Sequence, residues 1–321
     1  MHGNLKGKIN MVIKMCTAIH YKTYFGRNLD LEYTYEETVT IMPRNYIFDG
    51  YAIIGMAYVK NDYPLYYDGI NEKGLGMAGL NFPFNAQYND YKEGKDNVSP
   101  FEFIPYVLSK CNNVLSAKEL LCNVNLINKN FSEDLPLSPL HWMIADKESS
   151  IVVESVNDGL KVYDNPCDVL TNNPPFDKQL ENYKKYSQLS PDDKPDAGKD
   201  EYFSGGTGAT GLPGDWSSMS RFARAVFVRF HSGCEKDELS GVGQFFHMLS
   251  AVAMPEGSVR VNGRSEITQY SSCCNLNEGK YYYTTYKNHR ITCVDMCKEN
   301  LDGKKLINYP IAKEESIFRQ N

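Results

Sequence analysis

The sequence has no apolar stretch long enough to form a membrane-spanning helix. Its longest uncharged and mainly apolar stretch covers residues 239–255 and is interrupted by Gln244, His247 and Ser250. A membrane helix needs about 20 consecutive, mostly apolar residues. We therefore expect a protein that does not enter a membrane.

An excess of positive charge is also missing. The chain contains 34 lysines and arginines against 40 aspartates and glutamates, which gives a formal net charge of −6. Proteins that bind nucleic acid or an anionic membrane surface concentrate basic residues on one face. The dispersed and slightly acidic charge therefore predicts that neither nucleic acid nor a membrane is a partner.

The cysteines and histidines lack the spacing of a metal site. Structural zinc sites usually show a Cys-x-x-Cys pair, with further cysteines or histidines at similar spacing. Here Cys273 and Cys274 are adjacent, and in a strand such neighbours point to opposite faces. Cys293 and Cys297 are four residues apart, and no two histidines are spaced as ligands. We expect no metal and no cofactor.

The nine cysteines are an odd number, so they cannot all pair in disulfides within one chain. A secretory signal is missing as well, because the only apolar cluster in residues 1–15 is Met11, Val12 and Ile13, which is too short for one. Reduced thiols and a cytoplasmic location are the expectation.

What is present is typical of a folded chain. Of the 321 residues, 42% are hydrophobic and 23% are charged. Strand-like and helix-like segments follow one another without a repeat, which predicts an α+β protein whose sheets are covered by helices. The composition changes after Met15, so we interpret residues 1–15 as an upstream extension or propeptide, with a translation start at Met15 as the alternative. We interpret residues 16–321 as one domain.

Local patterns predict individual elements. Residues 16–21 and 24–30 read as two strands of a β-hairpin. Capping-box patterns predict helices that begin after Ser99 and after Ser116, and periodicity predicts helices over 220–231 and 244–254. Further strands are predicted at 38–42, 51–59, 141–145, 151–156, 160–163, 266–276, 281–286 and 290–295.

A glycine-rich stretch at residues 206–211 matches the pattern G-x-G-x-x-G. A dinucleotide-binding site requires a strand before this pattern and a helix that opens at its end. The residues before it, 181–202, are polar, and Leu-Pro-Gly-Asp follows it. We interpret the stretch as a loop.

Cys16 is the strongest candidate for a reactive group. It follows Met15 directly and precedes the small residues Thr17 and Ala18. If the residues before it are removed, its α-amine, with a pKa of ~7.7–8.0, can act as the base for a thiol with a pKa of ~8.5. Such a nucleophile needs no partner histidine.

Arg27 and Asp30 lie on the strand that is predicted to return beside Cys16. A guanidinium there stabilises a thiolate, and a carboxylate orients the amine. The residue types alone leave other interpretations open. Cys16 can be a buried structural thiol or pair with His141, and Arg27 and Asp30 can form an exposed ion pair.

Six blocks of sequence bear on this choice. In chain order they are residues 15–17 (MCT), 25–30 (FGRNLD), 71–83 (NEKGLGMAGLNFP), 170–174 (LTNNP), 211–215 (GLPGD) with 220–222 (SRF), and 301–303 (LDG). Together they resemble the choloylglycine hydrolases, and within that family the bile salt hydrolase branch.

The resemblance implies a four-layer αββα fold of the N-terminal nucleophile (Ntn) hydrolase type, assembled as a homotetramer. The catalytic positions that it implies are Cys16, Arg27, Asp30, Asn81, Asn172 and Arg221. The cysteine is then the nucleophile and, through its α-amine, the base. The first arginine and the aspartate are the partners of the thiolate and the amine. The two asparagines contact the oxyanion and the amine, and the second arginine completes the polar site.

The implied substrate is a bile salt whose amide bond to glycine or taurine is hydrolysed. A steroid needs a mostly apolar pocket, and we expect Tyr24, Leu29, Phe82 and Phe203 to line it. Penicillin V acylase and N-acyl-homoserine lactone acylase remain alternatives within the family. A non-catalytic bile-acid-binding protein is a third, because residues 1–15 block the amine as long as they stay attached.

Overall fold

A computed structural model describes residues 15–195 and 205–321, so the predictions for residues 1–14 and for Phe203 lie outside the described residues. Two large antiparallel sheets dominate the described part. In spatial order, sheet A contains β12 (Val169–Leu170), β1 (Met15–Tyr21), β2 (Tyr24–Leu31), β15 (Ile267–Asn275), β16 (Lys280–Thr285) and β17 (Asn288–Asp295). Sheet B contains β11 (Gly159–Asp164), β10 (Ser150–Val156), β9 (Leu140–Ala145), β6 (Gly76–Asn81), β5 (Tyr63–Asn71), β4 (Ile53–Lys60), β3 (Thr38–Met42) and β18 (Ile307–Pro310).

The remaining strands form two short pairs, and there are five α-helices, counted over residues 15–195 and 205–321. Two short strand pairs are β7 (Asp96–Val98) with β8 (Val124–Leu126), and β13 (Arg260–Val261) with β14 (Arg264–Ser265). The helices are α1 (Phe103–Lys110), α2 (Val114–Leu121), α3 (Phe176–Tyr183), α4 (Ser218–His231) and α5 (Glu238–Ser250). None of the helices in the described ranges is long and apolar enough to cross a membrane.

Alternation along the strands places sheet B between two cores. In β9, Trp142 and Ile144 belong to the core shared with α1 and α2, where the Trp142 and Phe103 ring centroids are 4.8 Å apart. Met143 and Ala145 belong to the other core, which contains the side chains of sheet A. Successive side chains of a strand point to opposite faces, so a single strand of sheet B contributes side chains to both cores.

Sheet A is covered on its far side by α4 and α5. Phe222 and Val226 of α4 and Phe245 and Leu249 of α5 are buried in the core that they share with sheet A. The layers therefore run α1–α2, sheet B, sheet A, α4–α5. This is the predicted α+β class in a four-layer αββα arrangement.

The hairpin of β1 and β2 carries the candidate nucleophile. Its register places Cys16 opposite Leu29, which confirms the hairpin that the sequence predicts. On its other edge β2 pairs with β15. A Cβ atom at Gly26 would lie 2.0 Å from the carbonyl oxygen of Ser272 on β15, so only glycine allows the two strands to approach this closely.

Three of the predicted helices have wrong boundaries. α1 begins at Phe103 and not after Ser99, although the Glu102 side chain accepts a hydrogen bond from the Ser99 N–H at 3.1 Å. α2 begins one turn before the predicted start, because Asn113 is its N-cap and the Ser116 N–H donates to Asn113 Oδ1 at 2.8 Å. α5 begins at Glu238 and ends at Ser250, earlier than its apolar periodicity indicates.

Candidate active site

Cys16 is held by polar contacts on its backbone. Its N–H donates to Asn172 Oδ1 at 2.8 Å, and its carbonyl oxygen accepts from Arg221 Nη1 at 2.5 Å. The residue is buried, with 2% of its surface exposed while Met15 precedes it. The nitrogen of Cys16 therefore already lies against a side-chain acceptor in the interior of the fold.

Arg221 joins three parts of this site. It lies on α4, and besides Cys16 it donates to Thr17 Oγ1 at 2.7 Å and to Asn172 Oδ1 at 2.7 Å. Its Nε donates to the Trp216 carbonyl oxygen at 3.0 Å. Burial lowers the pKa of Arg221, whereas the nearby Asp30 and Cys16 favour its charged form. A fork of several N–H donors fits this cluster of oxygens in a way that a lysine could not.

Asn172 and Asn81 connect the two sheets. Asn172 follows β12 of sheet A, and Asn81 is the last residue of β6 in sheet B. Asn172 Nδ2 donates to the Asn81 carbonyl oxygen at 2.7 Å. The Asn172 N–H donates to Ser218 Oγ at 2.9 Å. Asn172 thus contacts the candidate nucleophile Cys16 directly, and Asn81 is joined to it through Asn172.

His141 supports the site but does not pair with Cys16. Its ring stacks on Phe82 with centroids 4.3 Å apart. One ring nitrogen lies 2.8 Å from the Thr171 carbonyl oxygen and the other 3.1 Å from Glu154 Oε1. Since both nitrogens are engaged, His141 is not available as a base for the thiol. Its contact instead fixes the segment that carries Asn172.

Arg27 is fully buried between the sheets. Its Nη1 donates to the carbonyl oxygens of Gly79 at 2.5 Å and Tyr67 at 3.1 Å, both in sheet B. Its Nη2 has no hydrogen-bond partner within the described part of the chain. Burial raises the pKa of the Cys16 thiol, and the positive charge of Arg27 is the largest opposing influence. Arg27 therefore stands where a thiolate would need a counter-charge.

A buried carboxylate behind Arg27 was not found from the sequence. Asp68 lies on β5 and accepts hydrogen bonds from the hydroxyls of Tyr270, Ser272 and Tyr281, the last two at 2.9 and 2.8 Å. Burial raises the pKa of Asp68, while Arg27 favours its ionised form. One signal was available, because a lone acid within a strand is unusual.

Asp30 lies next to Cys16 on the helix-covered side of sheet A. Its Oδ1 accepts from Thr268 Oγ1 at 2.6 Å, and its Oδ2 has no partner among residues 15–195 and 205–321. Burial raises the pKa of Asp30 to about 6, and Arg221 opposes this shift. Asp30 and Arg27 are fully buried, so the alternative of an exposed ion pair on a strand edge is wrong.

The comparisons with known proteins agree with this geometry. The profile of a family described as linear amide C–N hydrolases, choloylglycine hydrolase family, matches residues 16–309. The chain belongs to the choloylglycine hydrolase family. It is therefore an enzyme of the class that hydrolyses linear amide C–N bonds.

Relatives within this family align over nearly the whole chain. The bile salt hydrolase/transferase of Lactiplantibacillus plantarum is 48% identical over 324 residues, covering 96% of this chain and 100% of the relative. That of Clostridium perfringens is 40% identical over 330 residues, with the same coverage of both chains.

Solved structures confirm the fold. A crystal structure of a variant of conjugated bile acid hydrolase from Clostridium perfringens has a TM-score of 0.88 at 39% identity, covering 96% of this chain and 100% of that one. Penicillin V acylase from Agrobacterium tumefaciens has a TM-score of 0.73 at 18% identity, covering 92% and 90%, and shares the fold. The predicted Ntn hydrolase fold of this choloylglycine hydrolase family member is thus confirmed.

The four residues expected to line a pocket are not all near Cys16. Leu29 is opposite Cys16 in the hairpin, and Phe82 directly follows Asn81; both are buried. Tyr24 lies at the other end of β2, where it packs on Phe245 of α5, about 17 Å along the strand from Leu29. Phe203 lies outside the described residues.

No candidate metal site accompanies these residues. In the described ranges, no group of three or more histidine, cysteine, aspartate or glutamate side chains is arranged to hold a metal ion. The polar groups around Cys16 are amides, guanidinium groups and single carboxylates, which suit acyl transfer by a thiol.

Glu266 is a further acidic residue that the sequence analysis missed. It precedes β15 by one residue and is buried. The Met15 N–H and the positive charge of Arg221 favour the ionised form of its carboxyl group, whereas the negative charge of Asp30 disfavours it. Burial and then the proximity of Asp30 raise the pKa of Glu266 to about 8. No local pattern identifies it, because its neighbours come from β1, β2 and α4.

The raised pKa of Glu266 predicts a pH-dependent stability. The folded state binds the proton more tightly than the unfolded state, so stability falls as the pH rises from 4.5 to about 8. The comparison uses chains whose mass shows that Met15 is still attached. At pH 5 the Glu266→Gln variant is expected to have about the same free energy of unfolding as the parent. At pH 9 it should be more stable by roughly 3–5 kcal/mol, or on the order of 5 °C in melting temperature. Equal melting temperatures at pH 9 would contradict this expectation.

Proposed function

We propose that this chain hydrolyses the amide bond that joins a bile acid to glycine or taurine. The observation that carries the proposal is the Cys16 N–H, which donates to Asn172 Oδ1 at 2.8 Å. The nitrogen that must serve as the base is thus already oriented next to the thiol. The names and full-length coverage of the two bile salt hydrolase/transferase relatives support the choice of substrate.

The mechanism begins with the release of residues 1–15, which frees the α-amine of Cys16. We propose that residues 16–321 then act as a single domain. The amine accepts the thiol proton as Sγ attacks the carbonyl carbon of the substrate amide. Arg27 stabilises the thiolate by its positive charge, and Asp30 orients the amine.

The tetrahedral intermediate needs hydrogen-bond donors for its oxyanion. Asn172 Nδ2 uses one hydrogen for the Asn81 carbonyl oxygen and has a second one available. The Asn81 side chain, at the end of β6, supplies another donor. Arg221 does not touch the substrate in this scheme but holds Asn172 Oδ1 and the Cys16 carbonyl oxygen in place.

The intermediate then collapses to a thioester between Cys16 Sγ and the bile acid. The C–N bond breaks, and the glycine or taurine leaves with the proton that the α-amine held. A water molecule attacks the thioester, gives its proton to the amine, and releases the bile acid and the free thiol. One water is consumed in each cycle.

The remaining features of the proposal concern pocket and assembly. Leu29 and Phe82 form part of the apolar wall that contacts the steroid, since they adjoin Cys16 and Asn81. We propose that the enzyme is a homotetramer, as the similarity of its sequence blocks to the family implies. We propose a cytoplasmic location because the nine cysteines cannot all pair in disulfides.

A substrate panel tests the proposal. Glycocholate, taurocholate, penicillin V and a long-chain acyl-homoserine lactone are incubated with the purified protein, and the released products are quantified. We expect kcat/KM for one bile salt to exceed those of the other two classes by at least about tenfold. Preference for penicillin V or for the lactone would contradict the bile salt assignment. Binding of glycocholate without turnover would contradict the enzymatic one.

A further inference from the structure

Two buried carboxyl groups beside Cys16 each have one oxygen with no hydrogen-bond partner among residues 15–195 and 205–321. These atoms are Asp30 Oδ2 and Glu266 Oε2. Asp30 is fully buried and Glu266 is 1% exposed. Buried acceptors are nearly always satisfied, so two unsatisfied ones at one place indicate a donor that the described residues do not supply.

The strand register places both groups at the beginning of β1. Met15 lies opposite Asp30, and Asp30 lies opposite Thr268 on β15. Glu266 is two residues before Thr268, and its carboxyl group is close enough to be influenced by the Met15 N–H. Removal of Met15 would therefore leave the new chain terminus between these carboxyl groups.

The number of available acceptors matches a terminal amine. A cysteine that begins a chain has an α-ammonium group with three N–H donors. Asn172 Oδ1 already accepts a hydrogen bond from the Cys16 nitrogen at 2.8 Å. Asp30 Oδ2 and Glu266 Oε2 are the two further acceptors, and neither accepts a hydrogen bond from any residue that the structure describes.

We propose that Glu266 is a second carboxylate partner, beside Asp30, of the Cys16 α-ammonium, and that it sets the pH at which this amine becomes a base. The inference rests on the proposed function only in requiring Cys16 to be the first residue. A nearby negative charge favours the ammonium form and so raises the pKa of the amine. Because Glu266 acts through the amine, it is a positioning residue.

Other charged groups also face this site. Arg221 approaches from α4, Arg27 and Asp30 from β2, and Glu32 from the segment after β2. Glu32 is the matched control. Its carboxylate also lies near Glu266, but it is paired with Arg264 at 3.3 Å. A substitution at Glu266 leaves all of these groups in place.

The test is the acidic limb of the pH profile of kcat/KM, which reports the ionisation of the base in the free enzyme. Glu266→Gln keeps the size and the acceptor but removes the charge, so the limb should move to lower pH by about one unit. Glu266→Asp keeps the charge and should stay near the parent profile. Glu32→Gln should leave the limb unchanged.

A second measurement needs no substrate. The pH dependence of Cys16 alkylation by iodoacetamide is followed by mass spectrometry of the peptide that begins at Cys16, and the same downward shift is expected for Glu266→Gln. The inference is overturned if the Glu266→Gln profile coincides with the parent profile, or if Glu266→Asp shifts as far as Glu266→Gln. If bile salts are not hydrolysed but the alkylation profile shifts, the substrate assignment fails and this inference stands. Full activity of a chain that retains Met15 would contradict both the proposed mechanism and the inference about Glu266.

Discussion

Cys16→Ser is expected to lower turnover of glycocholate by roughly a thousandfold or more. A serine hydroxyl is far harder to ionise than a thiol, so the same α-amine and the same counter-charge activate it much less. Burial already raises the pKa of the Cys16 thiol, so the site depends on Arg27 and on the amine even for cysteine. The measurement is product release under saturating substrate, with binding of glycocholate determined in parallel.

Another buried strand cysteine provides the matched control for this variant. Cys274 is fully buried on β15, opposite Phe25 of β2, and belongs to the same sheet as Cys16. Cys274→Ala should retain turnover within a few-fold of the parent at a temperature where it is folded. A Cys16→Ser protein with parental turnover, or a parent protein that binds but does not hydrolyse, would exclude the nucleophilic role of Cys16.

Removal of the Arg27 guanidinium should damage both stability and activity. Arg27→Met eliminates two hydrogen bonds to sheet B and leaves the buried Asp68 without its principal positive neighbour. Loss of one partner from a buried charged pair typically costs about 3–5 kcal/mol. We also expect kcat/KM to fall by about a hundredfold, because the thiolate loses its counter-charge.

A double variant separates these two effects. Arg27→Met combined with Asp68→Asn removes both charges, so it should recover a large part of the lost unfolding free energy in urea titrations. Its activity should stay low, because Cys16 still lacks the positive charge. Recovery of activity in the double variant would contradict the role of Arg27 as the counter-charge of the thiolate. Strictly additive losses of stability would show that the charges of Arg27 and Asp68 do not interact.

Local sequence patterns were sufficient for the hairpin of β1 and β2. Alternation and a short turn fix its register, and the register alone places Arg27 and Asp30 near Cys16. Asn81, Asn172 and Arg221 came instead from the resemblance of sequence blocks to a family. The catalytic roles of these residues remain predictions, whereas their proximity is now established by distances.

Contacts between distant parts of the chain could not be obtained this way. Asp68 and Glu266 acquire their importance from partners on other strands and helices, which no local window contains. The start of α2 shows a similar limit on a smaller scale, since Asn113 and Ser116 both fit a capping pattern and only the packing selects Asn113. Helix propensity indicates that a helix begins nearby, and tertiary contacts determine the residue at which it begins.

The hydrogen bond from Thr268 to Asp30 joins residues separated by 238 positions along the chain. During synthesis, Cys16 therefore leaves the ribosome long before β15 (Ile267–Asn275) does. Until that strand pairs with β2, the thiol belongs to an unfinished sheet, and Asp30 lacks the hydroxyl that orients it. The candidate nucleophile is made early, but the chemistry proposed for it can begin only after β15 has been made and has paired with β2.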